Sequence, residues 1–134
     1  NPEDDLESNI SAMEEVISSV KTAEVTEAVR ATVIKNAEDV EDVNVDPGQL
    51  IGLLDQKLVV ADDNILDVVS SLLNEASVSE GDLVTLYWGD CISQEDASFT
   101  KLKLEERFNN IEIELIDGGQ PHYHFIISIE WQRN

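Results

Sequence analysis

The chain has 134 residues, 42% of them hydrophobic, which suits one globular domain, or part of one, and is too apolar for a disordered segment. Its 29 acidic against 8 basic residues give a formal net charge of -21 at pH 7. That balance excludes binding to a nucleic-acid backbone, which needs clustered Lys and Arg, and electrostatic docking on anionic lipid. Two readings of the acidity stand: a solvated surface of the kind found in salt-adapted or acid-biased proteins, and a field that steers a basic partner patch. No run approaches the roughly 18 apolar residues of a membrane span, and the acidic N-terminus carries no signal-peptide pattern. A single cysteine, Cys91, cannot form an intrachain disulfide, which fits a reducing cytoplasm. The opening Asn1-Pro2, without an initiator Met, is expected of a fragment or a processed product, so residues 1–134 are taken as one domain of a longer multidomain protein.

In chain order, Leu6, Ile10, Met13, Ile17 and Val20 recur at helical spacing, so an amphipathic helix is expected from Asp4, with Asp4 or Asp5 as its N-cap. Met13 on that stripe is a core residue by type. From Ala23 to Val33 the period becomes two, with Ala23, Val25, Val29, Ala31 and Val33 on one face, which predicts a single strand. Arg30 falls in its middle, where it is either a buried ion-pair member or a residue that contacts an anion or a partner. The acidic run Glu38–Asp42 reads as a solvated loop or short edge. Asp46-Pro47-Gly48 is a turn signal, and Gln49–Leu54 with Lys57–Ala61 around Asp55-Gln56 reads as a hairpin.

Asp62, Asp63 and Asn64 then offer caps for a helix carrying Ile65, Val68, Val69, Leu72 and Leu73, a better use of these residues than a magnesium site. Ser79-Glu80-Gly81-Asp82 turns into a strand over Leu83–Trp88. Ser93 caps a further helix, with Asp96 three residues on as a weak capping box, a sparse stripe of Ala97, Leu104 and Phe108, and Asn109-Asn110 as its stop. Ile111–Ile116 alternates apolar and acidic residues as a half-buried strand does. Asp117-Gly118-Gly119-Gln120-Pro121 is a turn, and Tyr123–Trp131 is β-branched and aromatic, a buried closing strand. The sum is an α/β (α+β) chain: a mixed, largely antiparallel sheet with about three packed helices.

Four of these stretches resemble, in order and spacing, the C-terminal part of the A subunit of bacterial fatty acid kinase, a dihydroxyacetone-kinase-like family. They are Val25-Thr26-Glu27-Ala28-Val29-Arg30-Ala31-Thr32, the hairpin from Gly48 to Val60, Leu86-Tyr87-Trp88-Gly89-Asp90, and the closing Gly118-Gly119-Gln120-Pro121 turn with its Ile-rich strand. The resemblance runs from about Asn1 to Glu130. The chain departs from the family pattern at Ala31 (usually Asp), Gln56 (usually Gly), Cys91 (commonly acidic) and His124 (usually Pro). The resemblance implies a DegV-like fold, and ATP with magnesium bound by a kinase domain elsewhere in the parent protein. It also implies a DegV-like fatty-acid-binding protein as a separate acyl carrier. Such carriers have a His-x-Gly-Pro-Gly turn near the carboxylate site, whereas the analogous Ile116–Pro121 here has no histidine at its head.

The chain's own chemistry is sparse. His122 and His124 at i and i+2 could chelate a metal given a third ligand, but no Cys or carboxylate partner is evident in the sequence, and Cys91 reads as structural or incidental instead of as a nucleophile. No cofactor is therefore expected in this chain, and no catalytic residue. The functional expectation is a non-catalytic module that docks the acyl carrier beside the kinase domain for ATP-dependent acyl phosphate formation. Arg30, Gly118, Gly119, Gln120 and Tyr123 are its candidate contact residues. The alternatives are a domain that itself binds a fatty acid or other small molecule, and a structural dimerisation domain forming a homodimer.

Overall fold

A computed structural model describes residues 20–34 and 42–131. The expected helix from Asp4 lies outside these residues, except for Val20, which opens a strand. Most of the acidic run 38–42 lies outside them as well. Eight strands are described: β1 (Val20–Glu27), β2 (Thr32–Ile34), β3 (Val43–Val45), β4 (Leu50–Leu54), β5 (Lys57–Asp62), β6 (Leu83–Trp88), β7 (Glu112–Asp117) and β8 (Tyr123–Glu130). The two helices among the described residues are α1 (Ile65–Glu75) and α2 (Gln94–Arg107).

Six strands form one sheet in the order β5-β4-β1-β8-β6-β7, and β2 pairs with β3 in a separate ribbon. Every neighbouring pair is antiparallel except β6–β7, which run parallel because α2 carries the chain back between them. The α+β reading with a mixed, largely antiparallel sheet therefore holds.

Period-two alternation selects the covered face. Ala23 and Val25 of β1, Val84 and Leu86 of β6, and Phe125, Ile127 and Ile129 of β8 are fully buried, and register sets them side by side. Val68, Val69, Leu72 and Leu73 of α1 and Ala97 and Leu104 of α2 complete the same core. Each large side chain so buried contributes about 1.5–3 kcal/mol relative to exposure. A smaller cluster, Ala28 and Val45 with Ile51, Leu58 and Ala61, ties the chain near the β2–β3 ribbon to β4 and β5.

Local chemistry sets the helix ends. Of the three residues that could cap α1, Asn64 does so: its Oδ1 accepts from the amides of Leu66 (2.9 Å) and Asp67 (3.3 Å). The helix stops where Ser77 takes φ +58°, with the Ser77 amide donating to Asn74 O and that of Val78 to Leu73 O, a Schellman pattern built without glycine. Ser93 Oγ accepts from the Asp96 amide at the start of α2. At its far end Arg107 reaches across to α1, donating to Asp67 Oδ1 (3.1 Å) and Ser70 Oγ (3.0 Å).

One sequence expectation fails. Residues 23–33 are not a single strand: β1 ends at Glu27, the chain bends through Val29 and Arg30, and β2 begins at Thr32 in the other ribbon. Val29 is 91% exposed and Arg30 is exposed too, so neither belongs to an inward stripe and Arg30 is no buried ion-pair member. The alternation misled because Ala28 stays buried, its N–H donating to Gln49 O and its C=O accepting from Gly48, while the residues after it leave the sheet.

Candidate partner-binding site at one end of the sheet

β1, β6 and β7 all end, and β8 begins, at one end of the sheet. Three connections meet there: the bend after β1 (28–31), the β6–α2 loop (89–93) and the β7–β8 turn (118–122). The β7–β8 turn is locked to the β6–α2 loop by backbone bonds. Gly118 and Gly119 amides donate to Trp88 O (3.0 and 3.2 Å), the Asp90 amide to Gln120 O (3.0 Å) and the Gly89 amide to His124 O (3.0 Å). Gln120 adds a side-chain staple, its Nε2 donating to Tyr87 O (2.9 Å) and Tyr123 O (3.4 Å).

The glycines divide their work. Gly89 is buried, and a Cβ there would collide with the carbonyl oxygens of Tyr123 and Gln120. Gly118 gives room to the Gln120 amide, which a side chain would strike. Gly119 is different: it sits at φ +64°, and the nearest atom to an added Cβ is Asp117 Oδ1 at 3.9 Å, so its outer side is open. Gly118 is thus internal to the turn, and Gly119 is the one that offers bare backbone outward.

His122 carries the local strain. Its φ is +71°, and the Tyr123 amide donates to Pro121 O (2.9 Å), the bond of a γ-turn at positive φ, which is rare for a non-glycine residue. Thr26 Oγ1 donates to His122 O (2.7 Å) and so fixes the strained peptide to the end of β1. The result places His122 beside His124, Thr26, Glu27, Val29 and Cys91 around an open depression of about 490 Å³. His124 has one nitrogen, Nε2, 4.0 Å from Glu27 Oε1, and its Nδ1 is buried without a hydrogen-bond partner.

Of the sequence-predicted contact residues, Gly118, Gly119, Gln120 and Tyr123 lie together in the turn. Gln120 and Tyr123 are half-buried and hold the turn from within. Arg30 sits in the exposed bend next to Val29. Sequence reasoning missed Val29, Gly89 and the backbone role of Thr26. Val29 was hidden by apparent alternation; Gly89 had a signal, a lone glycine straight after a strand.

What the depression can do chemically is limited. Partial burial pushes the Cys91 thiol up, and the charges of Asp90 and Glu27 push the same way, so little thiolate is present at neutral pH. Among the described residues no group of three His, Cys, Asp or Glu side chains is placed to hold a metal ion. The sequence has no glycine-rich phosphate loop. No described helix is long and apolar enough to cross a membrane.

The architecture is that of an α+β domain, a mixed sheet covered by helices with its strained turn and exposed apolar residue gathered at one end. Comparison with known proteins sharpens this class. The chain belongs to the FakA-like C-terminal family, the C-terminal domain of proteins like the A subunit of fatty acid kinase, whose model matches residues 1–130. It is 31% identical over 130 residues to protein YloV of Bacillus subtilis (strain 168), covering 97% of this chain and 22% of that protein. It is 30% identical over 125 residues to an uncharacterized protein of Staphylococcus aureus (strain USA300), covering 93% of this chain and again 22% of the relative. The chain thus spans about a fifth of the length of these curated relatives.

Proposed function

We propose that this chain is the carrier-docking domain of a protein like the larger component of fatty acid kinase, without catalytic residues of its own. It holds a DegV-like fatty-acid-binding protein so that the carrier's acyl carboxylate meets ATP and magnesium bound by a dihydroxyacetone-kinase-like domain of the parent protein, in the cytoplasm. The observation that carries this reading is the rigid end of the sheet. There Val29 stands 91% exposed beside the His122 γ-turn, and Gly119 leaves backbone open to an approaching partner. A lone exposed apolar side chain is ordinary on a protein surface, so what supports a contact role is the position of Val29 at the rim of the depression, close to open backbone at the neighbouring turn.

The test has two arms. With carrier, fatty acid and ATP supplied, the chain alone should turn over no ATP above a heat-killed control; turnover would overturn the non-catalytic assignment. Titration calorimetry against the DegV-like proteins of the same organism should show binding that Val29→Asp weakens by about tenfold or more, at an unchanged melting temperature. Full affinity in a folded Val29→Asp would move the docking face elsewhere.

A further inference from the structure

The two edges of the six-stranded sheet are not alike. β5 is backed by the β2–β3 ribbon and shares in the small core cluster formed near it. Among the described residues β7, at the opposite edge, pairs on one side only, with β6. The amides of Glu112 and Gly118 donate to Asp82 O and Trp88 O, both toward β6. Alternation then turns the N–H and C=O groups of Ile113, Leu115 and Asp117 outward, along an open edge.

Beside that edge lies a groove of about 740 Å³ between β7 and α2, lined by Lys101, Leu102 and Glu105 of the helix and by residues 113–116 of the strand. On the groove side Leu102 is 55% exposed and Leu115 half-buried, whereas Ile116, 41% exposed, shares the opposite face of β7 with Glu112 and Glu114. An added strand paired to β7 would lie under this side of α2, and its helix-facing side chains would fill the groove against Leu102, Ile113 and Leu115. Edge plus flanking helix is the geometry by which sheets accept an extended peptide.

The charges choose the occupant. Glu112 and Glu114 project from the opposite face of β7, and Asp117 ends it. A second copy pairing through β7 would set these carboxylates against their own counterparts, in a chain of net charge -21. A strand with Lys or Arg at those positions would find opposite charge instead. We propose that the β7 edge and its groove bind an extended segment of a partner protein that alternates apolar residues, toward α2, with basic residues, toward Glu112 and Glu114. This surface is distinct from the turn at Gly118–His122, and the inference does not rest on carrier docking.

The probe is a short blocked peptide of alternating lysine and valine, added to the isotopically labelled chain, with amide hydrogen exchange read residue by residue. Exchange at Ile113, Leu115 and Asp117 should slow by about tenfold or more. A peptide of equal charge made of lysine, glycine and proline should leave these amides unchanged, as should one of alternating glutamate and valine. The double variant Glu112→Lys, Glu114→Lys should reverse the preference between the lysine and glutamate strands. Unchanged exchange, protection confined to β5, or equal protection by the peptide that cannot pair would overturn the proposal.

Discussion

Among the turns that carry non-glycine residues at positive φ, the two that join successive strands, β4–β5 and β7–β8, do so for different ends. In the β4–β5 hairpin, Asp55 and Gln56 take φ +49° and +71°, the two-residue turn that matches strand twist; strand pairing closes it, and Asp55 exchanges two bonds with the backbone of Thr22 in β1. In the β7–β8 turn, His122 takes φ +71° with far more around it: the Thr26 hydroxyl, the Gln120 staple, and a buried Gly89 that lets the loops touch. The hairpin's strain is incidental to connecting two strands. The second turn's strain is held by two side chains, Thr26 and Gln120, and by the close backbone approach that Gly89 permits, which is how a surface is given a fixed shape.

The contrast between the turns can be broken most forcefully at Gly89. Gly89→Ala would drive a methyl group into the Tyr123 and Gln120 carbonyls, which are backbone and cannot swing aside, so a loss of about 3 kcal/mol is expected. Denaturant unfolding measures it. A loss near zero would mean that the loops are not locked together.

A smaller effect separates strain from function. Gln56→Gly and His122→Gly each relieve a positive φ and should stabilise the chain by up to about 1 kcal/mol, the gain being reduced by glycine's greater freedom when unfolded. The first should leave carrier binding untouched, whereas the second, removing the imidazole from the docking face, should weaken it. Equal binding by both folded variants would make the two turns equivalent.

The smallest effect concerns Cys91. With its thiol pushed up by burial and by Asp90 and Glu27, alkylation by iodoacetamide at neutral pH should be slower than for a free-cysteine peptide. Because the thiolate is the reactive form, a raised pKa moves the rise in rate to higher pH, so the midpoint should lie above the peptide's. A midpoint below it would reopen nucleophilic chemistry at this site.

Much of the fold was legible because its signals are local. The hairpin at Asp55-Gln56, the caps at Asn64 and Ser93 and the strand Leu83–Trp88 each follow from a few adjacent residues. The bend at Val29-Arg30 was not legible, since an apolar residue at alternating spacing looks the same whether it faces a core or solvent. The site was half legible. Two glycines and a proline announced the turn, and the bare backbone of Gly118 and Gly119 beside the amphipathic Tyr123 marked it as a contact surface. That Gln120 and Gly118 face inward while Gly119 and Val29 face out depends on Thr26, Tyr87 and Gly89, dozens of residues away, and no local pattern encodes that.

The most direct measurement is a map of amide hydrogen exchange over this chain with and without its DegV-like carrier. Carrier docking at this end of the sheet predicts slowed exchange at Val29, Arg30 and the Gly118–Tyr123 turn, with no change at the Asp55-Gln56 hairpin. Protection that spares the turn and the bend after β1, while the carrier is demonstrably bound, would contradict it.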